Sequence, residues 1–192
     1  MFKKRLLAYL IDNILLGAIL ALVMLIVPVS TNQINLANEL ETIEDKFVKE
    51  EITVEEYINQ AIEVNYQLAK ERAWYPIINI AFILIYFVII PFYKDGATFG
   101  KRKCGIKVVS NDGNLTMNQL IIRNFIVNGL LQMLLTMVCL YILPSVSYFY
   151  AELILSLFQF ILIVVTGAYM IKRSDSKGIQ DILTNTKVVE VK

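Results

Sequence analysis

Three ionisable side chains stand inside long apolar runs of this chain: Asp12, Arg123 and Glu152. A charge in a hydrocarbon environment is costly, so each is a candidate functional residue that needs a partner. Counted from the basic end of its run, Asp12 is about seven residues in and Arg123 about six, so at 1.5 Å per residue both sit roughly 9–10 Å deep. That shared depth makes an Asp12–Arg123 ion pair geometrically allowed. Arg5 lies on the same helical face as Asp12, one heptad earlier, where it can reach inward or meet Asp181 near the other end of the chain. The candidate intramembrane cluster is therefore Arg5, Asp12, Arg123 and Asp181.

Two polar stripes accompany it. Asn124, Asn128, Gln132 and Thr136 recur every fourth residue in one run, and Glu152, Ser156, Gln159 and Thr166 share a helical face in the next. One reading is interhelical hydrogen bonding, worth about 0.6–2 kcal/mol per contact, which holds a bundle together. The other is a hydrated path through Asn124, Asn128, Gln132, Ser156 and Gln159, with Glu152 at its outer mouth and Asp12 near its inner end. An Asp12 held by an arginine stays ionised, so proton carriage along that path requires the pair to open.

Other chemistries are excluded by what is missing. The chain has no histidine, which removes His-dependent triads and His-ligated zinc. Its two cysteines, Cys104 and Cys139, are too isolated for a CxxC site and read as free thiols. Gly96 and Gly100-Lys101 stand too close together for a phosphate loop and no Ser/Thr follows the lysine. Asp12 and Asp181 come with no hydrolase motif. We therefore expect no catalytic residue, no cofactor, no metal and no enzyme activity.

The elements that must position these residues are membrane spans. Of 192 residues 57% are hydrophobic and only 18% charged, with a mean hydropathy of +0.59. About 20 apolar residues cross a bilayer core, and four segments qualify: 6–29, 74–93, 117–143 and 149–171. Pro28, Pro76, Pro91 and Pro144 mark their ends, and Trp74-Tyr75, Phe92-Tyr93, Tyr141 and Tyr148–Tyr150 lie at interface level. The first run, basic at its start, is too long for a signal peptide and lacks a cleavage site, so it reads as an uncleaved helix.

The formal net charge of +1 conceals a strong asymmetry. Residues 1–5 and the 94–116 loop are each +3, the 172–192 tail is +2, and the 30–72 segment is −6. Basic loops stay inside, so both termini and the 94–116 loop are expected in the cytoplasm of a cell-membrane protein. The acidic 30–72 insertion is then outside. Within it, Leu36, Leu40, Ile43 and Phe47 repeat at helical spacing, and Thr53 with Glu56 forms a capping box that starts a second helix. That helix carries a stripe of Tyr57, Ile58, Ala61, Ile62, Leu68 and Ala69, which completes an external helical hairpin. On the inner side Ile106–Val109 and Lys187–Val191 are strand-like and can pair into a small ribbon. The expected fold class is thus an all-α membrane protein of four transmembrane helices, with an external hairpin and a cytoplasmic β-ribbon, as one domain over 1–192.

These pieces resemble a known family. Arg5-x-x-Ala8-x-x-Ile11-Asp12 opens the first span, and Gly96-x-Thr98-x-Gly100-Lys101 leads to Gly105-Ile-Lys-Val-Val109. Leu115-Thr-x-x-Gln119 and Arg123-Asn124 start the third span, and Lys177-Gly178-x-x-Asp181-x-Leu183-x-x-Thr186-x-Val188-Val189 closes the chain. Together they resemble the RDD family of prokaryotic integral membrane proteins, named for an arginine and two aspartates. The resemblance places that arginine at Arg5 and the aspartates at Asp12 and Asp181. It implies a class rather than a mechanism: transport, including sodium–proton exchange for some members. Two functions stay open on the sequence. One is transport of ions or small solutes of the cation/proton exchange type. The other is an accessory or regulatory role, with a partner bound through the hairpin or the basic loop. The partners expected are the lipid bilayer and either a second copy or another membrane protein, and no nucleic acid.

Overall fold

The computed structural model describes residues 1–191. Helix α1 (Phe2–Ile26) is apolar almost all round, as a lipid-embedded helix is. It is followed by α2 (Thr31–Val48) and α3 (Val54–Glu71), the two arms of a hairpin. The expected capping box opens α3: Thr53 Oγ1 accepts from the Glu56 amide at 3.2 Å, and Glu56 Oε2 accepts from the Thr53 amide at 2.8 Å. Phe47 stacks on Tyr57, ring centroids 4.6 Å apart, across the turn between the arms.

The buried face of α3 differs from the expected stripe in part. Ile62 is buried, but Ile58 is exposed, and Val64 and Tyr66 are buried instead. Tyr66 is drawn in by packing beyond the hairpin: it lies against Tyr148, and its hydroxyl donates to the Leu143 carbonyl at 2.8 Å and to that of Leu140.

The second span follows after a two-residue turn as α4 (Trp74–Leu84), a π-helical stretch (Ile85–Ile89) and α5 (Ile90–Tyr93). Next come the short α6 (Phe99–Lys103) and strand β1 (Ile106–Ser110). The third span is not one helix, as the apolar run 117–143 suggested. It is broken into α7 (Met117–Val127) and α8 (Leu130–Ile142), bent by 71°. Gly129 lies in the left-handed region at φ 65°, which ends α7 and restarts the chain as α8. Helix α9 (Ser145–Lys172) starts four residues earlier than the apolar run, directly after Pro144.

The chain closes with α10 (Ile179–Leu183) and β2 (Thr186–Glu190), which pairs antiparallel to β1 with Val108 opposite Val188. The ribbon escapes the marginal stability of an isolated two-stranded unit because Ile106, Val108 and Thr186 are fully buried. Three helical stretches are long and apolar enough to cross a membrane, and the bent pair α7–α8 makes a fourth when counted as one span. The hairpin packs on α8 and the first turns of α9, and the ribbon lies near the other end of the 28-residue α9. These two ends are called the hairpin end and the ribbon end below. Leu16, Leu20, Ile83, Tyr86, Phe87 and Leu130 form the core between them.

Candidate functional site

At the ribbon end two aspartates act as clamps. Asp181, 1% exposed, receives Arg5 Nη2 at 2.5 Å and the Gly178 amide at 2.7 Å on one oxygen, and Arg123 Nη1 at 2.6 Å on the other. Arg123 also donates to the Thr186 hydroxyl, and Arg5 Nη1 to the Ser176 carbonyl at 2.5 Å. One carboxylate thereby ties the C-terminal segment to α1 and α7. Burial alone would raise the Asp181 pKa. Arg123, Arg5 and the Gly178 amide outweigh that and hold it below the ordinary carboxylate range.

Asp12, also 1% exposed, is clamped by different groups. Its Oδ1 accepts from the Tyr86 hydroxyl and the Gly100 amide, both at 2.6 Å, and its Oδ2 from the Thr98 hydroxyl at 2.5 Å. Thr98 is the N-cap of α6, so Asp12 fixes this short helix against α1. Gly100 is required by the closeness of that contact. An added Cβ would lie 2.7 Å from Asp12 Oδ1 and closer still to the Ala8 carbonyl oxygen.

The Asp12–Arg123 pair that equal depth suggested is therefore absent. Arg123 faces the C-terminal segment, which folds back over α7, and the aspartate is bonded instead by the donors of α6 and Tyr86. The structure does bring Arg5, Arg123 and Asp181 into one cluster. Tyr86, Thr98, Gly100 and Thr186 take part without having been singled out for it. Thr98 and Gly100 carried a signal, since both are fixed positions of the quoted glycine–threonine motif. Tyr86 carried none, being one aromatic among many in an apolar run.

The polar stripes are mostly engaged with one another or with backbone. Asn124 donates to the Leu120 carbonyl at 2.7 Å and accepts from Asn128. Gln159 reaches the Ile126 carbonyl at 2.8 Å, near the break in the third span, and Gln132 donates to Ser156 at 3.2 Å. Glu152 is exposed at the hairpin end and lines neither of the cavities described next.

Two cavities lie along these residues. One of about 210 Å³ at the ribbon end is walled by Arg5, Asp12, Lys101, Arg123, Thr166 and Gln180 among others. The second, of about 280 Å³, lies deeper, beside Asn13, Asn79, Gly129, Gln132 and Gln159. Tyr9, Phe87, Val127, Asn128 and Ile163 line both, so the cavities are neighbours at the break in the third span. Non-helical backbone at membrane depth is tolerated where it lines such a cavity. Among the described residues no group of His, Cys, Asp and Glu is placed to hold a metal ion, and both cysteines are free.

No curated protein and no solved structure matches the chain. A family model does, over residues 1–185, and it spans Arg5, Asp12 and Asp181 alike. With apolar helices of spanning length around these clamps, the chain is an integral membrane protein that belongs to the RDD family.

Proposed function

We propose that this protein is a non-enzymatic carrier of a small anionic solute, set in the cell membrane with both termini in the cytoplasm. The adjacency of the two cavities at the broken third span carries this reading. Interrupted helices that line a mid-membrane cavity are a recurrent way to build a solute site. The preference for an anion follows from the wall. Lys101 faces the ribbon-end cavity beside Arg5 and Arg123, which share Asp181, and the cavity's one carboxylate, Asp12, already accepts from three donors. Those bonds tie Asp12 to α6 and Tyr86, which argues against it as the proton carrier of a cation exchanger.

The test is uptake of labelled phosphate, chloride, lactate and sodium into sealed proteoliposomes. Anion flux is expected, and Asn128→Leu at the junction should lower it about tenfold, the effect of roughly 1.4 kcal/mol on a barrier. Sodium flux with no anion flux would refute the anionic reading. No flux of any of the four would favour the accessory role, with the acidic hairpin as docking surface.

The orientation is supported by the charge asymmetry, with the −6 segment at the hairpin end and the positive segments at the ribbon end. In a background with Cys104 and Cys139 changed to serine, Glu51→Cys should react with a membrane-impermeant maleimide in intact cells. Asn114→Cys, in the ribbon-end loop, should react only after permeabilisation. The reverse pattern would invert the assignment.

A further inference from the structure

Three polar groups of the ribbon-end cavity have no partner. Lys101 takes part in none of the ion pairs among the described residues, and its ammonium makes no hydrogen bond there. Gln180 is 3% exposed; its Oε1 has no partner, and its Nε2, the donor of the same amide, makes no hydrogen bond among the described residues. Thr166 is 5% exposed with a free hydroxyl. Buried polar atoms left unsatisfied are uncommon, and two of them, on Gln180 and Thr166, beside the half-buried unpaired Lys101, point to an occupant. Arg5 and Arg123 are already committed to Asp181, and Asp12 accepts from Tyr86, Thr98 and Gly100. The wall is thus rich in donors, positively charged and poor in free carboxylate, which is the complement of an oxyanion. A volume of about 210 Å³ exceeds a phosphate group several-fold, and much of the remaining wall is apolar, with Leu6, Phe87, Ile163 and Met170.

The same space is open at the side. Helices α1 and α9 both line it without an extensive contact between them. Gly167 on α9 has nothing within 4 Å of where a Cβ would be. Leu6 and Ile163, on the two sides of the opening, are exposed apolar residues.

We propose that this cavity binds the phosphate-type head of an anionic amphiphile drawn sideways from the adjoining leaflet. The head is held by Lys101, Gln180 and Thr166, and the chain leaves between α1 and α9 past Gly167. The inference deepens the reading of this cavity as an anion site. Burial, and then Arg123, lower the Lys101 pKa to about 8, partly offset by Asp12, with Arg5 and Asp181 adding smaller opposed effects. The ammonium is therefore present at neutral pH and is lost as pH rises through that value.

The test uses the full-length protein in neutral detergent, with native mass spectrometry reading the bound lipid. Phosphatidylglycerol and phosphatidylcholine of matched chains compete, in the presence and absence of excess inorganic phosphate. A preference of about tenfold or more for phosphatidylglycerol at pH 7, a difference of roughly 1.4 kcal/mol, is expected. It should shrink several-fold by pH 9. Lys101→Met should remove both the preference and its pH dependence. Gly167→Leu, which puts bulk into the side opening and keeps Lys101, Gln180 and Thr166 in place, should remove lipid binding with the melting temperature unchanged. Equal binding of the two lipids, or an unchanged preference in both variants, would overturn the proposal. So would displacement of the lipid by inorganic phosphate together with indifference to Gly167→Leu, which would make the site one for a soluble anion. Flux is read separately: lipid preference without flux removes the carrier reading alone, and flux without lipid preference removes this inference alone.

Discussion

Asp181→Ala should destabilise the protein by about 3–5 kcal/mol, the usual cost of removing one partner of a buried ion pair. Two guanidiniums converge on that carboxylate, and its loss leaves Arg5 and Arg123 buried side by side without a counter-charge. The Gly178 amide loses its acceptor as well. The damage should be local at first, because the C-terminal segment is what the clamp holds. Hydrogen exchange should therefore accelerate in α10 and β2 before α1 or α9. The double variant Asp181→Ala/Arg123→Met should be less destabilised than the sum of its single changes, since it removes one of the stranded charges along with the carboxylate. Thermal unfolding of the purified protein in detergent reads these differences. Strict additivity would mean that the three groups do not act as a unit.

The same clamp sets an acid limit. The folded-state pKa of Asp181 lies below its unfolded value. Its contribution is therefore complete above about pH 4, the unfolded carboxylate range, and is lost as pH falls through the lower folded value. Asp181→Asn should remove this part of the acid sensitivity and leave neutral-pH behaviour set by the weaker neutral hydrogen bonds.

Depth in the membrane was legible in the sequence, and direction around the helix axis was not. Counting residues put Asp12 and Arg123 at one level, and both do lie at the ribbon end. Which face of each helix meets which neighbour depends on how the 94–116 loop and the C-terminal segment fold back, and no single run encodes that. Arg5 and Asp181, 176 positions apart, meet because β2 pairs with β1 and carries the tail back to the start of α1. The strand pattern foretold the ribbon, and the family resemblance alone pointed to that arginine and that aspartate as a set. The break at Gly129 is hidden in the sequence for another reason. Hydropathy reports burial in lipid and is blind to φ, so an apolar run with one left-handed residue reads as continuous. On α3, where a capping box and a local stripe defined the element, the sequence reading held at the helix start. It failed at Ile58 and Tyr66, where tertiary contacts with α8 and α9 decide what is covered.

Gly100→Ala should be among the most damaging small substitutions in the chain, at roughly 2–5 kcal/mol. This combines overpacking with loss of a charge-assisted hydrogen bond. The new methyl group would fall within 2.7 Å of Asp12 Oδ1 and against the backbone of Ala8, and a helix backbone cannot move aside as a flexible side chain does. Gly167→Ala is the control: it adds the same methyl to a helix with open space around it, and should be neutral or slightly stabilising. Melting temperatures of the two variants give the comparison. Asp12 then separates a clamp from a carrier. Asp12→Asn keeps the shape and one acceptor oxygen but turns an amide NH₂ toward a site that supplied only donors. A clamp that loses part of its bonding lowers stability and folded yield, and flux per folded molecule persists. A proton carrier behaves in the opposite way, with folded yield preserved and flux abolished. Tyr86, Thr98 and Gly100 engage both oxygens of Asp12 and tie it to the second span and α6, which is the geometry of a clamp. The first outcome is therefore the one expected, and the second would return Asp12 to the transport path.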